Sequence, residues 1–375
     1  METDYTFINQ QEELERFLPV LEQGETVCLD TEADNMHHYE TRLCLLQIGV
    51  EDQVALVDPL GDLDWTPLLG LMEKKRLVMH GSDFDFRLLS QHGGFRPKNL
   101  FDTMHAAQLL GLPKIGLGFL AEHYLGIKMT KGHQKSDWSK RPLPPKMLTY
   151  AALDAHILHG LKEVMEKEIR DAGREEWLRE RCQWQVEQGN IGFAEKDKNA
   201  WRILSWRNLS PRGLVNLYYL YQWREKRAKE WDLPPFKVLH NEMLFGLAKA
   251  AQDFPHGDWR KAMTPRLFKS RGKDLENVLR QAAAASPKDL PPPPPRKLRP
   301  DPLTPEELGR QAEMQKKRDQ VAREMGIDPS LVANRQQLTL LARDPSLAEE
   351  LLLPTPRRLL GLSASSPQEV VNQKE

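Results

Sequence analysis

Hydrophobic and polar positions divide the chain into two kinds of pattern. Up to about residue 165, short apolar runs alternate with helical periodicities. The runs at 26–29, 43–49, 54–57 and 77–80 predict strands, and the periodic segments at 84–91, 103–110, 117–125 and 146–165 predict helices. Strands followed by helices predict an α/β domain with a mixed sheet over residues 1–170. Beyond about residue 170 the strand signals vanish and the pattern becomes helical.

The helical part repeats itself. Shifting the sequence by about 94 positions places Ser210-Pro211 on Thr304-Pro305, Leu214 on Leu308, Arg224 on Arg318, Pro235 on Pro329 and Val238 on Val332. The same shift places Leu244, Leu247 and Ala248 on Leu338, Leu341 and Ala342. Each copy opens with a hydroxyl residue and then proline, the chemistry of an N-cap and first helical position. Two related small helical domains are expected, one with its connector over 171–285 and one over 303–362. Between them, 286–302 contains Pro291 to Pro295, which favours an extended spacer. The tail 363–375 reads as disordered.

Composition narrows the class. The chain has 375 residues, 40% hydrophobic and 29% charged, with a net charge of −1. That balance argues against a general nucleic-acid coat protein, which would be basic, but leaves room for an enzyme with an acidic site. Cys28, Cys44 and Cys182 match no zinc spacing; Cys28 and Cys44, inside apolar runs, read as buried thiols, and a reducing, cytoplasmic compartment is expected. No signal peptide is visible, and no apolar stretch is long enough to predict a membrane span.

Three segments carry candidate chemistry. In Leu29-Asp30-Thr31-Glu32 the two acids alternate along a strand and so share a face. In His80-Gly81-Ser82-Asp83-Phe84-Asp85 a strand turns into a helix. Ser82 or Asp83 is expected to cap that helix, whereas capping accounts less well for Asp85. In Tyr150-Ala-Ala-Leu-Asp154 the tyrosine and aspartate lie one helical turn apart. Each has an ordinary explanation alone: a solvated strand end, a helix cap, a structural pair. His80 reads most simply as a structural histidine. Taken together, four carboxylates and a tyrosine form an oxygen-rich set suited to Mg²⁺ or Mn²⁺. Two such ions about 4 Å apart can drive in-line phosphodiester hydrolysis.

The order LDTE, HGSDFDFRLL, FDTMHAAQLLG and YAALDA resembles the D-E-D-D exonuclease superfamily, in the subgroup with Y-x-x-x-D in its third motif. Within it, residues 5–165 resemble the ribonuclease D family, including Arg42 to Gly49 and the S-D-W-x-x-R-P-L segment at 136–143. The helical repeat is similar to the HRDC domain. This resemblance implies a ribonuclease-H-like, proofreading-exonuclease-like α/β catalytic domain with a mixed sheet, followed by two all-α HRDC-like domains.

It implies Asp30, Glu32, Asp85 and Asp154 as metal-binding positions and Tyr150 as the water-orienting group. Asp85 is preferred to Asp83, and Asp102 is read as tying a helix start. Thr31, His80, Trp138 and Arg141 are candidate substrate contacts, the last two at the rim of the site, although a loop anchored by Trp138 and Arg141 is an equal alternative. Ala33 stands where relatives often carry an aromatic or apolar residue. The implied function is a 3′→5′ exoribonuclease using two divalent cations, Mg²⁺ or Mn²⁺, on tRNA precursors and other small structured RNAs. No membrane and no obligate protein partner are expected. A DNA exonuclease and a catalytically weak RNA-binding scaffold are the competing readings.

Aromatics among cations at Trp201, Trp206, Tyr218, Tyr219, Tyr221, Trp223 and Trp231 can stack bases or form a core.

Overall fold

Apolar runs long enough to cross a sheet place two eight-residue strands at its centre, and shorter strands complete it. In a computed structural model describing residues 4–91, 94–129, 132–194, 197–295 and 301–362, the elements of the first 190 residues run in order. They are β1 (Thr6–Ile8), α1 (Gln11–Gln23), β2 (Thr26–Ala33), β3 (Leu43–Val50), β4 (Gln53–Val57), α2 (Thr66–Met72) and β5 (Arg76–Met79). Then come α3 (Asp83–Ser90), β6 (Asn99–Asp102), α4 (Thr103–Leu109), α5 (Leu117–Leu125), α6 (Pro145–Asp171) and α7 (Glu175–Gly189). The sheet order is β1-β4-β3-β2-β5-β6. Pairs β2–β3 and β3–β4 are antiparallel, and β1–β4, β2–β5 and β5–β6 are parallel. The mixed sheet with helices, in a ribonuclease-H-like fold, is as expected.

Four elements were not foreseen. β1 and β6 span only three and four residues, too few for a period to register. α1 carries Pro19 inside its periodicity, and α2 is a short segment opened by Pro67.

The 27-residue α6 packs across β2, β3, β4 and β5. It approaches β3 closely because position 49 is glycine: a Cβ there would lie 3.2 Å from the Ala155 carbonyl oxygen. Tyr150 and Asp154 are thereby brought over the centre of the sheet.

The chain divides into two compact units. The second comprises Asp34–Arg42 and Ala194–Arg299, with α8 (Pro211–Glu230), α9 (Pro235–Val238), α10 (Asn241–Ala250) and α11 (Pro265–Ala284). Its core buries Trp201, Trp223 and Trp259, while Trp231 is 40% exposed. Residues 34–42, the connection between β2 and β3, belong to this unit. There Asp232 accepts from the Tyr39 backbone N–H (3.1 Å) and pairs with His38 (2.7 Å).

The described remainder forms the first unit, and its membership departs from the expected domain boundaries. α7 belongs with the α/β fold, and so do α12 (Pro305–Met325), α13 (Pro329–Val332), α14 (Arg335–Arg343), α15 (Ala348–Leu351) and α16 (Pro354–Leu360). The Arg174 guanidinium donates to the Leu109 and Met325 carbonyls, and Glu180 accepts from both the backbone N–H and hydroxyl of Thr355, each at 2.9 Å. Residues 291–295 carry neither helix nor strand. The expected disordered tail lies outside the described residues.

The repeat extends to its interactions. Ser210 and Thr304 cap α8 and α12 by accepting from the N–H three residues on. Arg224 donates to the Leu239 carbonyl and Arg318 to that of Ala333, at 3.1 and 3.2 Å. Asn216 and Arg310 reach the carbonyls of Ala248 and Ala342.

Candidate active site

β2 presents Asp30 and Glu32, α3 presents Asp85 and α6 presents Tyr150 and Asp154; Asp85 and Asp154 are 9% and 3% exposed. Their charges act on one another. Burial, then the charges of Asp85 and Asp154, push the Asp30 carboxyl well above its usual range. Glu32 is pushed up to about 10 by burial and then by Asp30, Asp154 and Asp85. Burial raises Asp85 to about 6 against the Thr31 hydroxyl, which donates to it. Burial also raises Asp154 to about 7, held back by contact with the Tyr150 hydroxyl. Tyr150 is itself raised by burial and then by Asp154 and Glu32.

Like charges this close repel unless a cation sits among them. Among the described residues, no three His, Cys, Asp or Glu side chains converge as they stand on a point that could hold an ion. The chemistry of the set nevertheless fits a hard divalent cation: the donors are all carboxylate oxygens. One of them, Oδ1 of Asp154, is buried with no hydrogen-bond partner.

The turn before α3 is built differently from expectation. Neither Ser82 nor Asp83 caps the helix. The Ser82 hydroxyl donates to Asp102 (2.9 Å). Asp83 instead accepts from Arg87 (3.0 Å) and from the Gln185 amide (3.1 Å). Asp102, fully buried, does tie the start of α4 as expected. It also accepts from the backbone N–H groups of Gly81 (3.0 Å) and Ser82 (2.9 Å), anchoring the turn that leads to Asp85. Spacing alone held no sign of this double role.

Among the expected substrate contacts, Thr31 finds its partner within the site, on Asp85. His80 Nδ1 lies 2.9 Å from the Thr103 hydroxyl, whose proton goes to the Met79 carbonyl (3.1 Å). Nδ1 is therefore the donor, and burial lowers the His80 pKa.

Trp138 packs beside Tyr150, their ring centroids 6.4 Å apart, whereas the guanidinium of Arg141 is taken up by the protein itself. Trp138 is 0% exposed. Arg141 makes a two-pronged pair with Asp58 (2.5 and 2.6 Å) and donates to the carbonyls of Cys44 and Trp138, each at 2.7 Å. With its guanidinium so occupied, the anchored-loop alternative is the one realised. Arg141 and Asp58 line a cleft of about 580 Å³ that none of the four carboxylates borders.

Comparison with known proteins places this geometry. Residues 5–170 match a family model described as 3′-5′ exonuclease, and residues 215–253 match the HRDC domain. The fold and the acidic site thus define a 3′-5′ exonuclease-type domain joined to an HRDC region. The chain is 30% identical to ribonuclease D of Haemophilus influenzae over 281 residues, 72% of this chain and 69% of that protein. It is 34% identical to ribonuclease D of Zymomonas mobilis over 233 residues, 61% of this chain and 59% of that protein. The match thus spans about three fifths of the latter. The crystal structure of Escherichia coli RNase D superposes with a TM-score of 0.66 at 23% identity, covering 96% of this chain and 99% of that one, a likeness of fold. The chain belongs to the ribonuclease D family.

Proposed function

We propose that this protein is a 3′→5′ exoribonuclease that releases nucleoside 5′-monophosphates from RNA ends, with tRNA precursors and other small structured RNAs as substrates. The observation that carries the reading is that β2, α3 and α6 present the four carboxylates Asp30, Glu32, Asp85 and Asp154 as neighbours, Asp85 and Asp154 buried and each raising the carboxyl of Asp30. Family membership supports the same reaction class, and the HRDC match supports nucleic acid as the substrate.

Asp30, Glu32, Asp85 and Asp154 are the residues that would hold the divalent cations, Mg²⁺ or Mn²⁺. Such ions supply an activated water and charge stabilisation at the leaving oxygen. The chain's own groups then do the rest. Thr31 steadies Asp85 through its hydroxyl. The Tyr150 hydroxyl, one turn from Asp154, orients the attacking water. Asp102 fixes the turn from which α3 projects Asp85.

The test is digestion of a 3′-extended tRNA and of matched single-stranded RNA and DNA with Mn²⁺. Asp30→Asn and Asp154→Asn are expected to abolish nucleotide release while RNA binding persists. Undiminished digestion by both variants overturns the site, and digestion of DNA alone overturns the substrate.

A further inference from the structure

One buried polar side chain beside the carboxylates has no part in that account. Gln47 lies in the middle of β3, 0% exposed, directly opposite Asp30 in the antiparallel pairing. Directly opposed residues project from one face of a sheet, so Gln47 shares the face of Asp30 and Glu32. Two positions along, Gly49 lies under the Ala155 carbonyl of α6, so this is the face that α6 covers. Apolar side chains dominate its surroundings: Leu45, Leu56, Ala151 and Ala155 form one buried cluster.

Neither the amide nitrogen nor the amide oxygen of Gln47 has a hydrogen-bond partner of normal geometry. A desolvated amide group left without a partner is unfavourable, and every other residue of β3 is apolar, glycine or cysteine. Folding of the strand therefore calls for a leucine or methionine here. The neighbouring carboxylates supply a reason for glutamine: Gln47 faces Asp30 across the pairing, and Glu32 lies two residues along on the same face.

We infer that Gln47 is a positioning residue, whose buried amide is left free to donate to the carboxylates on its face once a divalent cation gathers them, holding them oriented as its ligands. This rests on the reading of the four acids as cation ligands. Groups of this kind, which touch a ligand rather than the ion, typically change metal affinity 10- to 100-fold when removed.

The test compares the full chain with Gln47→Met, close to glutamine in size and unable to donate. Mn²⁺ affinity is read from the electron paramagnetic resonance signal of the free ion, and thermal unfolding is followed in EDTA. The metal-free variant is expected to be at least as stable as the parent, since two unpartnered polar groups are removed, while binding Mn²⁺ about 10-fold or more weakly. Gln47→Glu, which keeps the length but adds a fifth acid, should not restore affinity at neutral pH. Equal Mn²⁺ affinity in parent and Gln47→Met overturns the inference, as does loss of stability in EDTA without loss of affinity. Weakened Mn²⁺ binding supports it whether or not RNA proves to be the substrate, since RNA digestion is a separate measurement.

Discussion

Replacing Asp102 by asparagine tests how the site is held. Oδ1 of Asp102 accepts from Gly81 N (3.0 Å), Met104 N (2.9 Å) and His105 N (3.3 Å), and Oδ2 accepts from the N–H and hydroxyl of Ser82, both at 2.9 Å. An asparagine can keep its oxygen on the first three. Its NH₂ then faces Ser82, whose hydroxyl can turn to accept but whose backbone N–H cannot. One buried N–H left unpaired costs about 1–3 kcal/mol, and the surviving bonds lose their charge assistance, about 1 kcal/mol each. Relief from burying a carboxylate offsets part of this, leaving an expected loss of about 3 kcal/mol.

Asp102→Ala, which removes the acceptor from all five donors, should lose about 5 kcal/mol. Urea unfolding at pH 7 gives these values, and nucleotide release should fall alongside because the turn into α3 loosens. Burial would raise the Asp102 carboxyl, but His105 and the N–H groups of Ser82 and Gly81 hold it below the usual range. A depressed carboxyl stabilises the fold above its unfolded pKa and loses that contribution as pH falls through the folded value. The difference between parent and Asp102→Asn should therefore be full from pH 5 to 7 and shrink only below about pH 4. A variant within about 0.5 kcal/mol of the parent at pH 7 would refute the reasoning.

Arg141→Ala strands the carboxylate of Asp58, 5% exposed, and should destabilise the chain by about 3–5 kcal/mol. Arg141→Lys should rescue little, for want of a two-pronged donor. RNA affinity of the folded fraction should not change; a pure affinity loss at full stability would restore the phosphate-contact role. The carboxyls of Asp85 and Asp154, raised to about 6 and 7, predict the opposite pH trend to Asp102. Folded-state pKa values above the unfolded ones stabilise at low pH, and that contribution is lost as pH rises from about 4 to 7. In EDTA, Asp154→Asn should thus gain on the order of 2 kcal/mol relative to the parent at pH 8, read by thermal unfolding. No gain in that comparison would count against the buried acidic cluster.

What the sequence made readable was whatever depends on short spacing. The alternation of Asp30 and Glu32 and the one-turn step from Tyr150 to Asp154 are periodicities, and the structure brings these residues together with Asp85. The repeat was readable because its caps and buried leucines recur at one offset. Contacts between distant residues were not: Arg141 meets Asp58 across 83 positions, and Asp102 meets Ser82 across 20. Gln47 sits in an apolar run whose period is that of any buried strand, so only the register with β2 brings it beside Asp30. Chain order likewise suggested that the second helical copy stands apart, whereas packing of α16 on α7 joins it to the sheet domain.

That joining has a consequence for how the protein is made. Glu180 finds Thr355 only across 175 residues, and Gly111, at φ +69°, leaves no room for a Cβ against the Gly326 carbonyl. The whole helical insertion at 194–299 is therefore synthesised between two parts of one unit. On a ribosome adding about 5–20 residues per second, the sheet domain waits some seconds with the α4–α7 surface bare before α12 and α16 arrive to cover it. In that interval the nascent chain exposes apolar surface that a chaperone would recognise. Truncation after residue 193 would make the exposure permanent, so an isolated nuclease fragment should aggregate more readily than the longer chain.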